Sequence, residues 1–444
     1  MKIGFISLGC AKNLVDSQVM AGYLKAGRIA LAASPETADV ILVNTCAFIE
    51  AAREEAAEAI LRACAHKADG ACRAVIVAGC MVQRYKKRLM KAFPDVDAFL
   101  GIDELEQIGD VVAHIAAGRP VGVVASAGTA KKLYNPPYPT LLFSGGPFAY
   151  LKIADGCNHR CAYCAIPLIR GKFRSRAMGD IATEAQRMVA AGVREINLVS
   201  QDSLMYGSDR NRAKQPQIVE LLRRLDEMDG AFWLRVLYGY PSGVTDELLA
   251  LLNTSRHLCK YLDLPIQHSH PKILAAMNRS PAIPATAGLA ARLRAAVPGV
   301  VLRTTCLVGF PGETEARFNH LLETLAESAF DHVGVFAYSP EEGTAAYGRR
   351  APSLAVAQAR CARVMALQKK IVAKHMQTRI GQKDTALLLR QIKPGAWLAR
   401  LSSQAPEVDG ETRVAGLAPG TAQPGDFVQV RITGSNGYDV EAMA

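Results

Sequence analysis

The sequence predicts an α/β protein in three parts: an N-terminal parallel-sheet α/β domain, a central partial (βα)6 barrel and a small C-terminal antiparallel β-barrel. Three observations predict it. Apolar runs alternate with helical segments up to about residue 92 and again from 148 to 338. A Pro/Gly-rich stretch separates the two series. Beyond residue 377 the pattern changes to short β-like runs among many glycines and prolines. Strand–helix alternation makes parallel sheets with helices on their faces, whereas short strands spaced by turns make small barrels.

The elements follow in order. Residues 3–8 form an apolar strand, 13–25 have helical periodicity and 40–44 form a second strand. The Ala- and Glu-rich stretch 50–65 is a strong helix, 74–78 a third strand and 81–92 another helix. The run Asn135-Pro136-Pro137-Tyr138-Pro139 and the triplet Gly145-Gly146-Pro147 continue neither helix nor sheet. The expected domains are therefore 1–134, a linker 135–147, 148–377 and 378–444. Strands of the central domain read as 150–154, 196–200, 234–238, 261–266, 301–308 and 333–338, with helices such as 181–191 and 218–229 between them. A helix from 353 to about 376 closes this domain. The last domain has β-like runs at 385–389, 396–401 and 427–432.

The 444 residues are half hydrophobic and about a fifth charged, which suits a globular chain with substantial cores. No run approaches the length of a membrane span, and the first apolar run is too short for a signal sequence. A cytoplasmic protein without membrane contact is expected. Eleven cysteines in such a chain argue for metal ligation over disulfides. The net charge of +11 favours an anionic partner, and a ribonucleoprotein is an obvious one. The surplus lies before residue 378, because the last domain balances seven Lys/Arg against seven Asp/Glu. Two basic clusters, Arg84-Tyr85-Lys86-Lys87-Arg88 and the group Arg170, Lys172, Arg174 and Arg176, read either as solvated surface or as partner contacts.

The cysteines carry the chemistry. Cys157, Cys161 and Cys164 stand in C-x3-C-x2-C spacing directly after the first strand of the central domain. Three thiolates on one short loop can hold three corners of a 4Fe-4S cluster and leave the fourth iron open to a small molecule; the alternatives are a zinc site or unrelated buried cysteines. A zinc site would call for a second ligand pair downstream, and none follows. Cys10, Cys46 and Cys80 follow the first, second and third strands of the N-terminal domain. Loops at the carboxyl ends of parallel strands share one edge of a sheet, so the three converge there. They could hold a second cluster or be buried structural residues. Cys64, Cys72, Cys259, Cys306 and Cys361 match no ligand pattern and read as packing residues. A polar loop role suits His159 and His268 better than iron ligation.

Over its full length the sequence resembles the methylthiotransferase branch of the radical S-adenosylmethionine (SAM) enzymes. Both cysteine triads carry the resemblance, with the runs 7–17, 44–49, 77–85, 338–344 and 405–410. Within that branch the runs are similar to the members that act on small-subunit ribosomal protein S-twelve. The members that modify an adenosine of tRNA, the alternative, differ around several of them. Ala11 departs from a common proline but touches no proposed ligand. The resemblance implies a transferase that inserts a methylthio group at the β-carbon of one aspartate. It implies that Cys157, Cys161 and Cys164 ligate a radical-generating cluster whose open iron binds SAM. Cys10, Cys46 and Cys80 would ligate an auxiliary cluster that carries the sulfur. A ribosomal protein substrate and a reducing partner such as flavodoxin or ferredoxin follow, with a monomer expected.

Further residues are placed by the same resemblance and by their position at strand ends of a barrel. Tyr163 sits where related enzymes contact the SAM adenine. Ser200, Gln201 and Asp202 follow the second barrel strand, and Gln267 and His268 the fourth. Arg303 lies in the fifth strand, with Gly309 and Glu313 in the run after it. The C-terminal segment resembles the TRAM domain, and its zero net charge argues against tight nonspecific phosphate binding. Trp397 and Phe427 are expected in the core.

Overall fold

The computed structural model describes the chain apart from residues 71, 120, 126–127, 134–145 and 280–285. Most of the expected linker lies outside the described residues. The N-terminal sheet contains β1 (Lys2–Ser7), β2 (Ala30–Leu31), β3 (Val40–Thr45), β4 (Ala74–Gly79), β5 (Ala98–Leu100) and β6 (Gly122–Val124). Its order is β2-β1-β3-β4-β5-β6, with every neighbouring pair parallel. Each residue of β3 and β4 is buried, which parallel strands covered on both faces require.

Alternate side chains feed two cores. Ile41, Val43, Val75 and Val77 pack with Ala56, Ile60 and Ala63 of helix α2 (Glu50–Ala68). On the other face Leu42, Ala74 and Ile76 meet Met20 and Leu24, while Ile108, Val111 and Val112 belong to a helix the sequence reading did not identify, Ile108–Ala116. Met20 and Leu24 lie on α1 (Ala11–Ala26), which also buries Asn13, Asp16, Ser17 and Gln18. The helix expected at 81–92 is two short ones, Cys80–Tyr85 and Lys87–Ala92. Lys86 adopts φ 46° between them, a left-handed backbone state that hydrophobic periodicity does not register.

Central strands β7 (Phe148–Lys152), β10 (Glu195–Val199) and β11 (Trp233–Val236) form one three-stranded sheet. Strands β12 (Tyr261–Asp263), β13 (Val301–Val308) and β14 (His332–Ala337) form another, each in chain order. Between β7 and β10 in sequence, β8 (Ala154–Asp155) and β9 (Arg174–Ser175) make a small antiparallel pair that brackets the C-x3-C-x2-C loop. Helix Leu354–Arg379 leads to the last domain.

That domain is a closed barrel of β15 (Lys383–Lys393), β16 (Ala396–Leu401), β17 (Thr412–Ala415), β19 (Asp439–Met443) and β18 (Phe427–Asn436), in that order. It departs from the antiparallel expectation at one place, because β17 and β19 run parallel. Both are short and carry charged residues, which hid them from an apolar-run search. Trp397 is buried in its core with Leu388, Val414 and Ile432. Phe427 packs on Trp233, ring centroids 4.9 Å apart.

Two compact units result. One comprises Met1–Phe143, Lys152–Asp180 and Ser339–Tyr347; the other comprises Ser144–Leu151, Ile181–Tyr338 and Gly348–Ala444. Both cysteine triads belong to the first unit. The physical reason is visible in its core, where Ala165 and Ile169, just beyond the C-x3-C-x2-C loop, pack with Val77, Cys80 and Val82.

Candidate active site

In the first unit, β1 and β3 are neighbours whose onward connections run to opposite sides of the sheet. Ligands in open α/β sheets bind outside the carboxyl ends of the strands at such a switch point. Cys10 follows β1, Cys46 follows β3 and Cys80 follows β4 at this edge.

Polar side chains stitch the three loops together. Asn13 Nδ2 donates to the Leu8 carbonyl at 3.1 Å and to the Thr45 carbonyl at 2.9 Å. Asn44 Nδ2 donates to the Asn13 carbonyl and to Ser17 Oγ, both at 2.8 Å. Thr45 Oγ1 donates to the Ala78 carbonyl at 2.7 Å. Two glycines allow the close approach. Gly9 has φ 90°, and a Cβ there would lie 2.7 Å from Cys46 Cβ and 3.1 Å from its Sγ. Gly79 has φ 94°, and a Cβ there would collide with Asn44 and Thr45.

The three thiols sense one another. Cys10 is exposed, at the N-cap of α1, while Cys46 and Cys80 are buried. Burial pushes the Cys80 thiol up to about 12, opposed by Arg170 and reinforced by Cys46 and Cys10. Cys46 is raised by burial and by Cys10. At Cys10 crowding by protein acts upward, but Lys12, Arg170 and the Asn13 and Lys12 amides outweigh it and hold the thiol below its ordinary value. None of the eleven cysteines forms a disulfide. Among the described residues no group of three or more His, Cys, Asp or Glu is arranged to hold a single metal ion.

Cys157, Cys161 and Cys164 are half-buried in their loop. The Cys157 amide donates to the Gly171 carbonyl and the Cys164 amide to the Cys161 carbonyl, each at 3.1 Å. Asn158 Oδ1 accepts from the Phe173 amide at 3.0 Å. The Ala346 amide, in the Ser339–Tyr347 segment, donates to the Ala162 carbonyl at 2.8 Å. That segment is fixed by Glu341, a buried carboxylate held by Arg53 at 2.5 Å and Arg84 at 2.6 Å. Arg84 also donates to the Ala47 carbonyl beside Cys46, at 2.8 Å.

A buried set of charges lies between the two triads. Arg170 Nη1 donates to Asp155 Oδ2 at 2.8 Å. Its Nη2 reaches Asn13 Oδ1 at 2.7 Å, Asp16 Oδ2 at 2.8 Å and Cys80 Sγ at 3.3 Å. Lys152 bonds Asp16 and lies 3.5 Å from Asp155. Burial disfavours the guanidinium charge, but Asp155, Cys80 and Asp16 outweigh it and raise the Arg170 pKa well above its ordinary value. Arg170 and Arg176 are buried and the Arg84 side chain is only 6% exposed, so neither surface reading of the basic clusters holds for them. The polar residues Asn13, Asp16, Ser17 and Gln18 along α1 were the available signal for this network, since an enclosed helix must find partners for the polar groups it buries.

In the second unit Ser200 is buried, its Oγ 3.2 Å from Ser203 Oγ. Asp202 Oδ1 accepts from the Tyr240 amide at 3.1 Å. Gln267 takes φ 67° and bridges to Cys306 of β13. Glu313 accepts from the Gly309 amide at 2.9 Å and from Arg360 at 2.8 Å. His268 Nδ1 accepts from the Ser269 and His270 amides at 3.0 and 2.9 Å, which puts the neutral ring's proton on Nε2. Arg303 reaches Asp409 Oδ1 at 2.9 Å, in the segment before β17. Tyr163 lies in the first unit, and the other SAM candidates lie in the second.

Comparison with known proteins bears on both units. Family models match an uncharacterized protein family, UPF0004, over residues 2–101, the radical SAM superfamily over 151–325 and the TRAM domain over 380–444. The chain is 43% identical over 443 residues to "Ribosomal protein uS12 methylthiotransferase RimO" of Symbiobacterium thermophilum, covering 99% of this chain and 90% of the relative. It is 43% identical to the protein of the same name from Pelotomaculum thermopropionicum, covering 99% and 98%. Among solved structures it resembles the radical SAM methyltransferase TsrM of Kitasatospora setae, with a TM-score of 0.54 and 13% identity over 77% of this chain and 74% of that one. That likeness is one of fold.

Proposed function

Because the chain belongs to the RimO family of ribosomal protein uS12 methylthiotransferases, we propose that it inserts a methylthio group at the β-carbon of one aspartate of that ribosomal protein. The observation that carries this reading is the gathering of both cysteine triads into one compact unit. The donor sets fit two 4Fe-4S clusters, being thiols three to a set, one set at the carboxyl ends of three strands and one along a single loop, with a charged donor already at Cys80 Sγ. Cys157, Cys161 and Cys164 would hold one cluster and leave an iron for SAM; Cys10, Cys46 and Cys80 would hold the other.

When bound, these groups supply a carbon-centred radical and a sulfur atom, chemistry that acid–base side chains cannot provide. The protein's task is to place and protect. Gly9 and Gly79 let the three N-terminal loops close on one another. Glu341 holds the segment that braces the C-x3-C-x2-C loop. Tyr163, Ser200, Gln201, Gln267, Arg303, Gly309 and Glu313 are the candidates for orienting SAM. The domains are read as 1–134, 148–377 and 378–444. An external one-electron donor of the flavodoxin or ferredoxin class completes the reaction, in the cytoplasm, with the enzyme as a monomer.

Two substitutions dissect the roles. Cys157→Ala should abolish reductive cleavage of SAM under anaerobic conditions. Cys10→Ala should preserve cleavage and stop sulfur insertion. A Cys10→Ala protein that still inserts sulfur would overturn the two-cluster reading.

A further inference from the structure

We propose that Arg170 is a positioning residue that locks the two cysteine triads into one register and raises the reduction potential of the cluster held at Cys10, Cys46 and Cys80. This rests on the two-cluster reading above. Arg170 lies six residues beyond Cys164, so it is covalently close to one triad. Its guanidinium is in direct contact with the other, at Cys80 Sγ.

The contacts form a closed ring. Asp16 of α1 pairs with Lys152 and Arg170, and Asp155 pairs with the same two cations. Two acids and two bases make the ring neutral, and all four are at least 97% buried by side chain. Asp155 precedes Gly156-Cys157, whereas Asp16 and Asn13 share a helix with Cys10 at its N-cap. The ring therefore ties the start of one ligand loop to the helix that carries the start of the other. Only a planar fork makes the set of contacts seen, with one nitrogen on Asp155 and the other on Asn13, Asp16 and Cys80. A lysine ammonium is a single point and cannot span them.

The contact with Cys80 has an electronic consequence. Hydrogen bonds and positive charge at a ligating sulfur favour the reduced, more negative form of a cluster. Arg170 supplies both from a buried position, where the interaction is little screened. Replacing it by a residue that cannot reach Cys80 Sγ should lower the potential of the N-terminal cluster, where the contact is direct, more than that of the other, whose Cys157 stands two residues beyond Asp155 of the ring.

The test uses the full chain in two backgrounds. In one, Cys157, Cys161 and Cys164 are all changed to Ala; in the other, Cys10, Cys46 and Cys80 are. Each is reconstituted anaerobically, with and without Arg170→Lys, and titrated potentiometrically with detection by electron paramagnetic resonance. The expected result is a lower midpoint potential in the first background and a smaller change in the second. Arg170→Gln gives a second measurement, with selective loss of iron from the N-terminal site expected. Unchanged potential in the first background, or equal shifts in both, would overturn the proposal. Absence of any cluster in the first background with Arg170 intact would overturn the two-cluster reading itself, and this inference with it.

Discussion

Replacing Asp409 by asparagine should loosen the joint between the C-terminal barrel and strands β12–β14. The carboxylate is fully buried. It accepts from Tyr261 Oη at 2.7 Å, Arg303 Nη1 at 2.9 Å and the Ala405 amide at 2.8 Å, with His332 Nδ1 3.3 Å away. Asparagine keeps the shape and one acceptor, but it removes the charge and turns a donor toward donors. Breaking a buried ion pair from one side costs about 3–5 kcal/mol, mostly through the charge left behind. Arg303 keeps Asp263 at 3.7 Å and is 15% exposed, so water and a second carboxylate take up part of that charge. A loss of about 2–3 kcal/mol follows. Intrinsic fluorescence reads it directly, because the chain has two tryptophans. Trp397 lies in the barrel core and Trp233 against Phe427, both in the second unit. Urea titration followed by that signal should show the shift. Adding Arg303→Met should bring the double variant closer to wild type than the two single losses combined. A shift below about 0.5 kcal/mol, or strict additivity of the singles, would refute the reasoning.

Three further outcomes are expected. Gly9→Ala should lower iron content at the N-terminal triad, whereas Gly70→Ala, at φ 73° with open space around it, should leave iron content intact and cost only about 1–2 kcal/mol; equal iron content in the two would contradict the close-approach argument. Glu341→Gln, which removes the negative charge that pairs with Arg53 and Arg84, should make the Ser339–Tyr347 segment faster to cleave in limited proteolysis, and an unchanged cleavage rate would count against its bracing role. His268 is pushed down to about 3 by burial, with His270, His320 and Arg360 adding repulsion. Its folded pKa lies below the unfolded value of about 6.5, so the unfolded state takes up the proton first. The stability it contributes is present above about pH 6.5 and is lost as pH falls toward 3, by up to about 1.4 kcal/mol per pH unit. His268→Asn should flatten that slope in fluorescence-monitored unfolding, and an unaltered slope would show that another group sets it.

Much of this organisation was legible in the sequence because it rests on local signals. Three of the six N-terminal strands (β1, β3 and β4), the six central strands and the C-x3-C-x2-C loop each declare themselves in a few consecutive residues, whereas the two- and three-residue strands β2, β5 and β6 are too short to do so. The placement of Cys10, Cys46 and Cys80 after successive parallel strands was enough to bring them to one sheet edge. Long-range pairing was less legible. Nothing in the cluster Arg170, Lys172, Arg174 and Arg176 marks Arg170 as buried, because its partners Asp16 and Asn13 are more than a hundred residues away. Lys86 shows the other limit, since a single left-handed residue divides a helix without altering its apolar pattern. Glu341 and Asp409 were visible only inside longer matching runs, and their work as buried acceptors appears when the arginines that reach them are placed in space.

The most direct measurement is mass spectrometry of a peptide from the aspartate loop of ribosomal protein uS12, with unmodified tRNA offered separately. The enzyme would first be reconstituted anaerobically with iron and sulfide, then supplied with SAM and a reductant. The account predicts one methylthio group on the peptide aspartate and none on tRNA. Modification of tRNA alone, or SAM cleavage with neither product, would contradict it.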